Sequence, residues 1–179
     1  MMPRETAGAA AGELSITFEL NGATRSARAR TEHTILDVLR WQMNLTGPRE
    51  GCGVGMCGAC TILLDGRPVS GCLLLAVMAD GRKIATVEGL EGPAGLHPIQ
   101  QAFIDHSGFQ CAYCTPGFVM ATKALLDENP SPTVADVKTF LAGNLCRCGS
   151  YVKIVDAVMD AATRLASPAT TSLVGADAR

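Results

Sequence analysis

Charge is scarce in this chain: only 18% of its residues are Asp, Glu, Lys or Arg, and the formal net charge is −2. No basic surplus is left to hold nucleic acid or an acidic lipid surface. A long apolar run is also missing. The longest stretch, Cys72 to Ala79, falls far short of the roughly 20 residues that cross a bilayer, so any membrane contact would go through a partner. The opening MMPRETAGAAAG has neither a long apolar h-region nor an Arg-Arg pair, which makes a cytoplasmic location the expectation. The three histidines, His33, His97 and His106, are dispersed and read as surface or packing residues rather than ligands.

What is present is hydrophobic and rich in cysteine. At 179 residues, 47% of them hydrophobic, the chain can form one ordinary domain or two small ones. Two small domains would each have a thin core that gains from a metal staple. Residues 1–12 and 167–179 lack hydrophobic periodicity and read as tails.

Two different periods divide the remainder. Leu14, Ile16, Phe18 and Leu20 alternate with polar neighbours and run into Asn21-Gly22, a hairpin signal, with a second strand over Ala23 to Arg30. Thr34 suits the cap of a short helix carrying Ile35, Val38, Leu39 and Trp41. A further hairpin is expected from Thr61 to Val69 about Asp65-Gly66, and a last strand over Lys83 to Val87. A Gly/Pro-rich stretch from Glu88 to Pro98 then marks the boundary, giving domains over 13–88 and 89–166. Four helices follow: one opened by Pro98, one with Thr115-Pro116 as N-cap and N1, one begun by Thr133-x-x-Asp136 with Val134, Val137 and Leu141 inward, and one capped by Ser150. The fold class is α+β. Trp41 and Phe103 are expected in the two cores, and the methionines, Met56 included, as gap-fillers.

All eight cysteines fall into two sets of four: Cys52, Cys57, Cys60 and Cys72, then Cys111, Cys114, Cys146 and Cys148. Tight C-x2-C and C-x-C groupings without a secretory signal favour metal over disulfides. The first set reads C-x4-C-x2-C plus a later fourth, the spacing by which plant-type ferredoxins hold a [2Fe–2S] cluster. Glycines alternate with the ligands in GCGVGMCGAC, so the backbone is free to wrap closely. Structural zinc usually pairs C-x2-C with a second such pair and matches this set poorly. The second set is less diagnostic, and zinc competes there. Each of its pairs precedes an expected helix N-terminus, where free N–H groups favour an anionic cluster.

Four motifs in order, EGCGVGMCGAC from Glu50, VSGC from Val69, FQCAYCTPGF from Phe109 and NLCRCGSY from Asn144, resemble the small iron–sulfur subunit of the xanthine oxidase family of molybdenum hydroxylases. That family acts on xanthine, aldehydes, carbon monoxide or N-heteroaromatics, and the resemblance spans nearly the whole chain between the tails. It implies a plant-ferredoxin-like β-grasp domain with one [2Fe–2S] cluster, followed by a four-helix domain with a second. It further implies a large molybdenum–pterin subunit that oxidises substrate, a medium FAD subunit, and an assembly that is in some cases a dimer of heterotrimers. Electrons would pass from molybdenum to the Cys111/Cys114/Cys146/Cys148 cluster, then to the Cys52/Cys57/Cys60/Cys72 cluster, then to FAD or another acceptor. Gln110 and Cys148 stand where the family contacts the pterin.

The chain departs from the family at Ala112, where glycine is frequent, and at Gly149-Ser150, where Thr-Gly is frequent. Neither removes a ligand, so small shifts of potential are the expectation. Arg147, between two ligands, reads equally as a counter-charge to the cluster and as a solvated arginine. Two other functions stand against the electron-transfer subunit: a stand-alone ferredoxin-like carrier, and a zinc-stabilised interaction module.

Overall fold

A computed structural model of the chain describes residues 12–93 and 95–167. The tails expected over 1–12 and 167–179 lie, apart from Gly12 and Ser167, outside the described residues.

β1 (Glu13–Leu20) and β2 (Ala23–Arg30) pair antiparallel through Asn21-Gly22. Both turn residues have positive φ, 51° and 80°, the backbone a two-residue hairpin requires. The β3 (Thr61–Leu64) and β4 (Arg67–Ser70) hairpin repeats the device with Asp65-Gly66. β5 (Lys83–Ala85) runs parallel to β1 and antiparallel to β3, giving the sheet order β2-β1-β5-β3-β4. Helix α1 (Ile35–Trp41) starts at a capping box in which Thr34 and Asp37 satisfy each other's backbone N–H. Its residues Ile35, Val38 and Leu39 close over Ile16, Phe18, Leu20, Ile62 and Ile84.

Four helices form the second half: α2 (Pro98–Asp105), α3 (Thr115–Glu128), α4 (Val134–Phe140) and α5 (Tyr151–Ala166). α4 opens with the Thr133/Asp136 capping box that the sequence announces. The helices share a core of Ile99, Phe103, Phe118, Leu125, Val137, Ile154 and Val158. Mixed sheet and helices together make an α+β chain.

The halves are packed together through α3. Met120 and Ala124 on its flank bury Leu63 of β3. At the N-terminal end of α3 a Cβ on Gly117 would lie 2.1 Å from the Gly58 carbonyl oxygen, so only glycine lets the helix approach the loop. A polar knot ties the chain where it leaves the sheet. Asn21 bonds the backbone and hydroxyl of Thr86, Thr86 donates to Glu88, and Glu88 accepts from the Gly47 N–H.

Several expectations need correction. Trp41 is half exposed, with the Arg40 guanidinium over its ring, because it lies on the far side of α1 from the Ile35, Val38 and Leu39 stripe. Val134 stays exposed at the first turn of α4, before that helix meets the core. Met56 fills no gap: it is 71% exposed at the tip of the cysteine loop. α3 begins at Thr115 with Cys114 at the cap, so Pro116 takes the second helical position. Ser150 occupies the cap of α5 but its side chain makes no capping bond, since its backbone (φ −74°, ψ 18°) is not extended as that bond requires. The last strand stops at Ala85, and Val87–Leu90 forms a 3-10 turn instead.

The Gly58–Gly117 approach is open to test. Gly117→Ala should lower stability by about 1–3 kcal/mol, the usual cost of overpacking. Gly143→Ala, where a Cβ meets nothing within 4 Å, should change it by less than about 0.5 kcal/mol. Thermal unfolding of the two variants compares them directly.

Candidate metal centres

The loop from Gly51 to Cys60 carries three cysteines between α1 and β3, and Cys72 follows β4. Positive φ at Gly53, Gly55 and Gly58 coils it tightly, as the alternating glycines lead one to expect. Gly58 is constrained twice, because φ is 67° and a Cβ would stand 2.4 Å from the Asn144 side-chain nitrogen. The thiols of each set lie close enough to act on one another: Cys52 and Cys57, and Cys60 with both Cys72 and Cys57. In the second set, Cys111 and Cys148 act on each other, as do Cys114 and Cys146, and Cys111 also acts on Cys114. Cys111 and Cys114 precede α3, and Cys146 and Cys148 precede α5.

Each set holds one buried cysteine, and only the second set has exposed ones. Cys60 and Cys146 are buried, while Cys111 and Cys148 are exposed. Desolvation pushes the pKa of Cys60 up to about 12, and that of Cys114 likewise to about 12. Cys52 moves the other way, to about 7, because the Val54 backbone N–H and then the Cys57 thiol stabilise its thiolate against desolvation. Cys111 is lowered mainly by the Tyr113 N–H, with help from Cys148. For Cys146 desolvation is the largest influence, but the Ser150 N–H and the Cys114 thiol help to outweigh it and hold the pKa below the ordinary cysteine value. Direct N–H···S contacts run from Met56 to Cys52 at 3.3 Å and from Ser150 to Cys146 at 3.4 Å.

A cleft of about 430 Å³ separates the sets, lined by Cys52, Cys57, Cys111, Cys114, Cys146 and Arg147 among others. Across it the Leu145 N–H donates to the Cys57 carbonyl at 2.9 Å. A reciprocal clasp spans the same gap. Arg49 donates to the Ala112 carbonyl, inside C-x2-C, while the Tyr113 hydroxyl donates to the Glu50 carbonyl at 2.7 Å. The Arg49 guanidinium also lies over the Tyr113 ring. The Asn144 amide, buried, reaches the Gly58 carbonyl at 3.1 Å. Gln110 donates to the Cys148 carbonyl at 3.1 Å, so those two surface residues are in contact. Tyr151 accepts from the Cys146 N–H at 2.9 Å and meets Phe118 edge-on.

Ala112 has φ 58°, a conformation that favours glycine, which accounts for glycine serving well at that position. Arg147 is exposed at the cleft. The three histidines remain apart, and His97 caps α2 by accepting the Ile99 N–H. Sequence reasoning missed Arg49, Tyr113, Asn144 and Tyr151. All but Arg49 lie inside the cysteine motifs, where proximity to a ligand was the available signal.

The donor set fits iron–sulfide. Four free thiols in each set match a two-iron centre in which each iron takes two thiolates. Backbone N–H groups aimed at sulfur, and the buried unpartnered hydroxyls of Thr115 and Ser150 beside Cys114 and Cys146, are donors for such a group.

Fold and site thus define an iron–sulfur-binding protein. Comparison with known proteins agrees: a 2Fe-2S iron-sulfur cluster binding domain matches residues 18–85, and a [2Fe-2S] binding domain matches residues 86–159. The nicotine 6-hydroxylase small subunit of Paenarthrobacter nicotinovorans is 49% identical, covering 83% of this chain and 89% of that one. The aldehyde oxidoreductase iron-sulfur-binding subunit of Escherichia coli (strain K12) is 41% identical over 86% of this chain and 74% of its own. Among solved structures, quinoline 2-oxidoreductase from Pseudomonas putida superposes with a TM-score of 0.83 at 40% identity, over 87% of this chain and 96% of that one. The chain belongs to the small iron–sulfur subunits of the xanthine oxidase family of molybdenum hydroxylases. It is an electron-transfer component of an oxidoreductase whose substrate chemistry lies on partner subunits.

The uneven thiols predict an order of reactivity in the metal-free chain. Labelling of Cys52 by iodoacetamide should rise with a midpoint near pH 7, because its thiolate form dominates above about 7. Cys60 and Cys114, at about 12, should stay unlabelled until strongly alkaline pH. Peptide mass spectrometry across a pH series reads both.

Proposed function

We propose that the chain relays electrons within a molybdenum hydroxylase through two [2Fe–2S] clusters. Cys52, Cys57, Cys60 and Cys72 hold one and Cys111, Cys114, Cys146 and Cys148 the other. The chemistry these groups supply when bound is one-electron acceptance and donation. The single observation that carries this reading is that all eight cysteines, free and in two sets of four, sit in loops that touch directly through the Leu145 N–H and the Cys57 carbonyl.

The residues divide the work. The four thiols of each set would hold two metals, and the buried Cys60 and Cys146 exclude water on the inner side. The loop N–H groups offset the negative charge of the thiolates. The clasp of Arg49 and Tyr113 holds the two loops at fixed separation. Cys148 and Gln110, exposed and in contact, face outward as the donor-side surface, where a pterin on a large molybdenum subunit is read.

The same reading extends to organisation. Residues 13–88 form a plant-ferredoxin-like β-grasp domain and 89–166 a four-helix domain. A medium FAD subunit takes electrons from the first cysteine set, and the complex works in the cytoplasm. No helix among the described residues is long and apolar enough to cross a membrane.

The test is metal analysis of the complex purified from its native host under mild conditions. Iron at about four per chain, as two [2Fe–2S] clusters require, with stoichiometric molybdenum is the expected result. Iron without molybdenum would instead identify a free carrier, and zinc in place of iron an interaction module. In the same complex Cys148→Ala should slow substrate-driven flavin reduction, and an unchanged rate in stopped-flow absorbance would refute the assigned route.

A further inference from the structure

Three buried side-chain hydroxyls among the described residues have no hydrogen-bond partner: Thr115, Thr122 and Ser150. Such a group is costly in a folded protein unless something supplies an acceptor. Thr122 lies in the interior of α3, remote in sequence from every cysteine, and Thr115 belongs to a residue that is only half-buried. Ser150 differs from both. It is 4% exposed, it sits at the cap of α5, and its own backbone N–H is directed at Cys146 Sγ at 3.4 Å.

Its side chain has been turned away from the work its position would normally give it. An N-cap serine accepts a backbone N–H of the first helical turn, yet Ser150 makes no such bond. The hydroxyl is instead enclosed without any acceptor, on the residue whose own backbone N–H already contacts the Cys146 sulfur. A neutral thiol is a weak acceptor, whereas an anionic thiolate is a strong one. The backbone turn that places the N–H on Cys146 also brings the Gly149 N–H to the Cys146 carbonyl at 3.1 Å, so Ser150 is held in place from its neighbour.

We infer that the Ser150 hydroxyl is a built-in donor to the Cys146 sulfur, completing its hydrogen bond when that sulfur is an iron-bound thiolate, and that it raises the reduction potential of the second cluster. The physical basis is charge. Reduction adds an electron to an already anionic centre, and a donor to sulfur stabilises that added charge more than it stabilises the oxidised form. Ser150 touches no substrate and carries no electron. It acts through Cys146, and the inference rests on the cluster assignment proposed above.

The experiment uses the complete complex carrying Ser150→Ala, with Ser150→Thr as the variant that keeps a hydroxyl. Potentiometric titration followed by EPR gives the potential of each cluster, and pulsed EPR after exchange into D2O counts exchangeable protons coupled to each. In Ser150→Ala the second cluster should titrate at a more negative potential and lose one exchangeable coupling, while the first cluster stays where it was. Ser150→Thr should restore both readings toward those of the unchanged protein. An unmoved potential with the coupling intact in Ser150→Ala would overturn the inference while leaving two clusters in view. Equal shifts in Ser150→Ala and Ser150→Thr would overturn it too, since they would reflect packing rather than the hydroxyl. Absence of a second cluster signal in the unchanged complex would overturn the cluster assignment, and the inference with it.

Discussion

The carbonyl group of Gly58 is the point on which both halves of the molecule are set. It accepts the Asn144 amide at 3.1 Å, the Thr61 hydroxyl at 2.7 Å and the Thr61 N–H at 3.2 Å. Gly117 of α3 comes so close that no side chain fits between them. Gly58 lies between Cys57 and Cys60, and Asn144 two residues before Cys146. One buried acceptor therefore connects the first cysteine loop, the start of β3, the head of α3 and the second cysteine segment. The separation of the two cysteine segments is thereby set by close contacts to one backbone carbonyl.

Burial and polarity are distributed unevenly around that seam, and the inequality has direction. Cys60 and Cys114 are raised by desolvation, whereas Cys52 and Cys111 are lowered chiefly by backbone N–H groups. Cysteine binds a metal as the thiolate, so Cys52 and Cys111 would be the readier donors, and Cys60 and Cys114 would have to lose protons as a metal arrived. The inner sulfurs face the protein, and Cys148 with Gln110 faces outward. A centre closed on one side and open on the other suits a component that meets a partner at its surface.

Much of the architecture could be read in advance because it depends on neighbours in sequence. The Asn21-Gly22 and Asp65-Gly66 turns, the Thr34/Asp37 and Thr133/Asp136 boxes and the start of α2 at Pro98 are local chemistry, and all occur as the residues imply. The errors have a common cause as well. Trp41, Val134 and Met56 were given places by residue type, but burial is decided by which face of an element meets another. Ser150 was given a capping role by type, and its backbone angles withdraw it.

The sequence by itself determined the inventory of candidate ligands: eight cysteines in two sets of four, with glycines spaced for a tight loop, because donor chemistry and backbone freedom are properties of residue type and spacing. Only the tertiary structure decided how the two loops are clasped by Arg49 and Tyr113, and that the Ser150 hydroxyl is buried without a partner on the residue whose N–H meets the Cys146 sulfur. These facts join positions as distant as Arg49 and Ala112 or Cys57 and Leu145. Contacts across such separations arise when α3 docks on β3, and no local pattern of residues encodes the distance at which two packed elements come to rest.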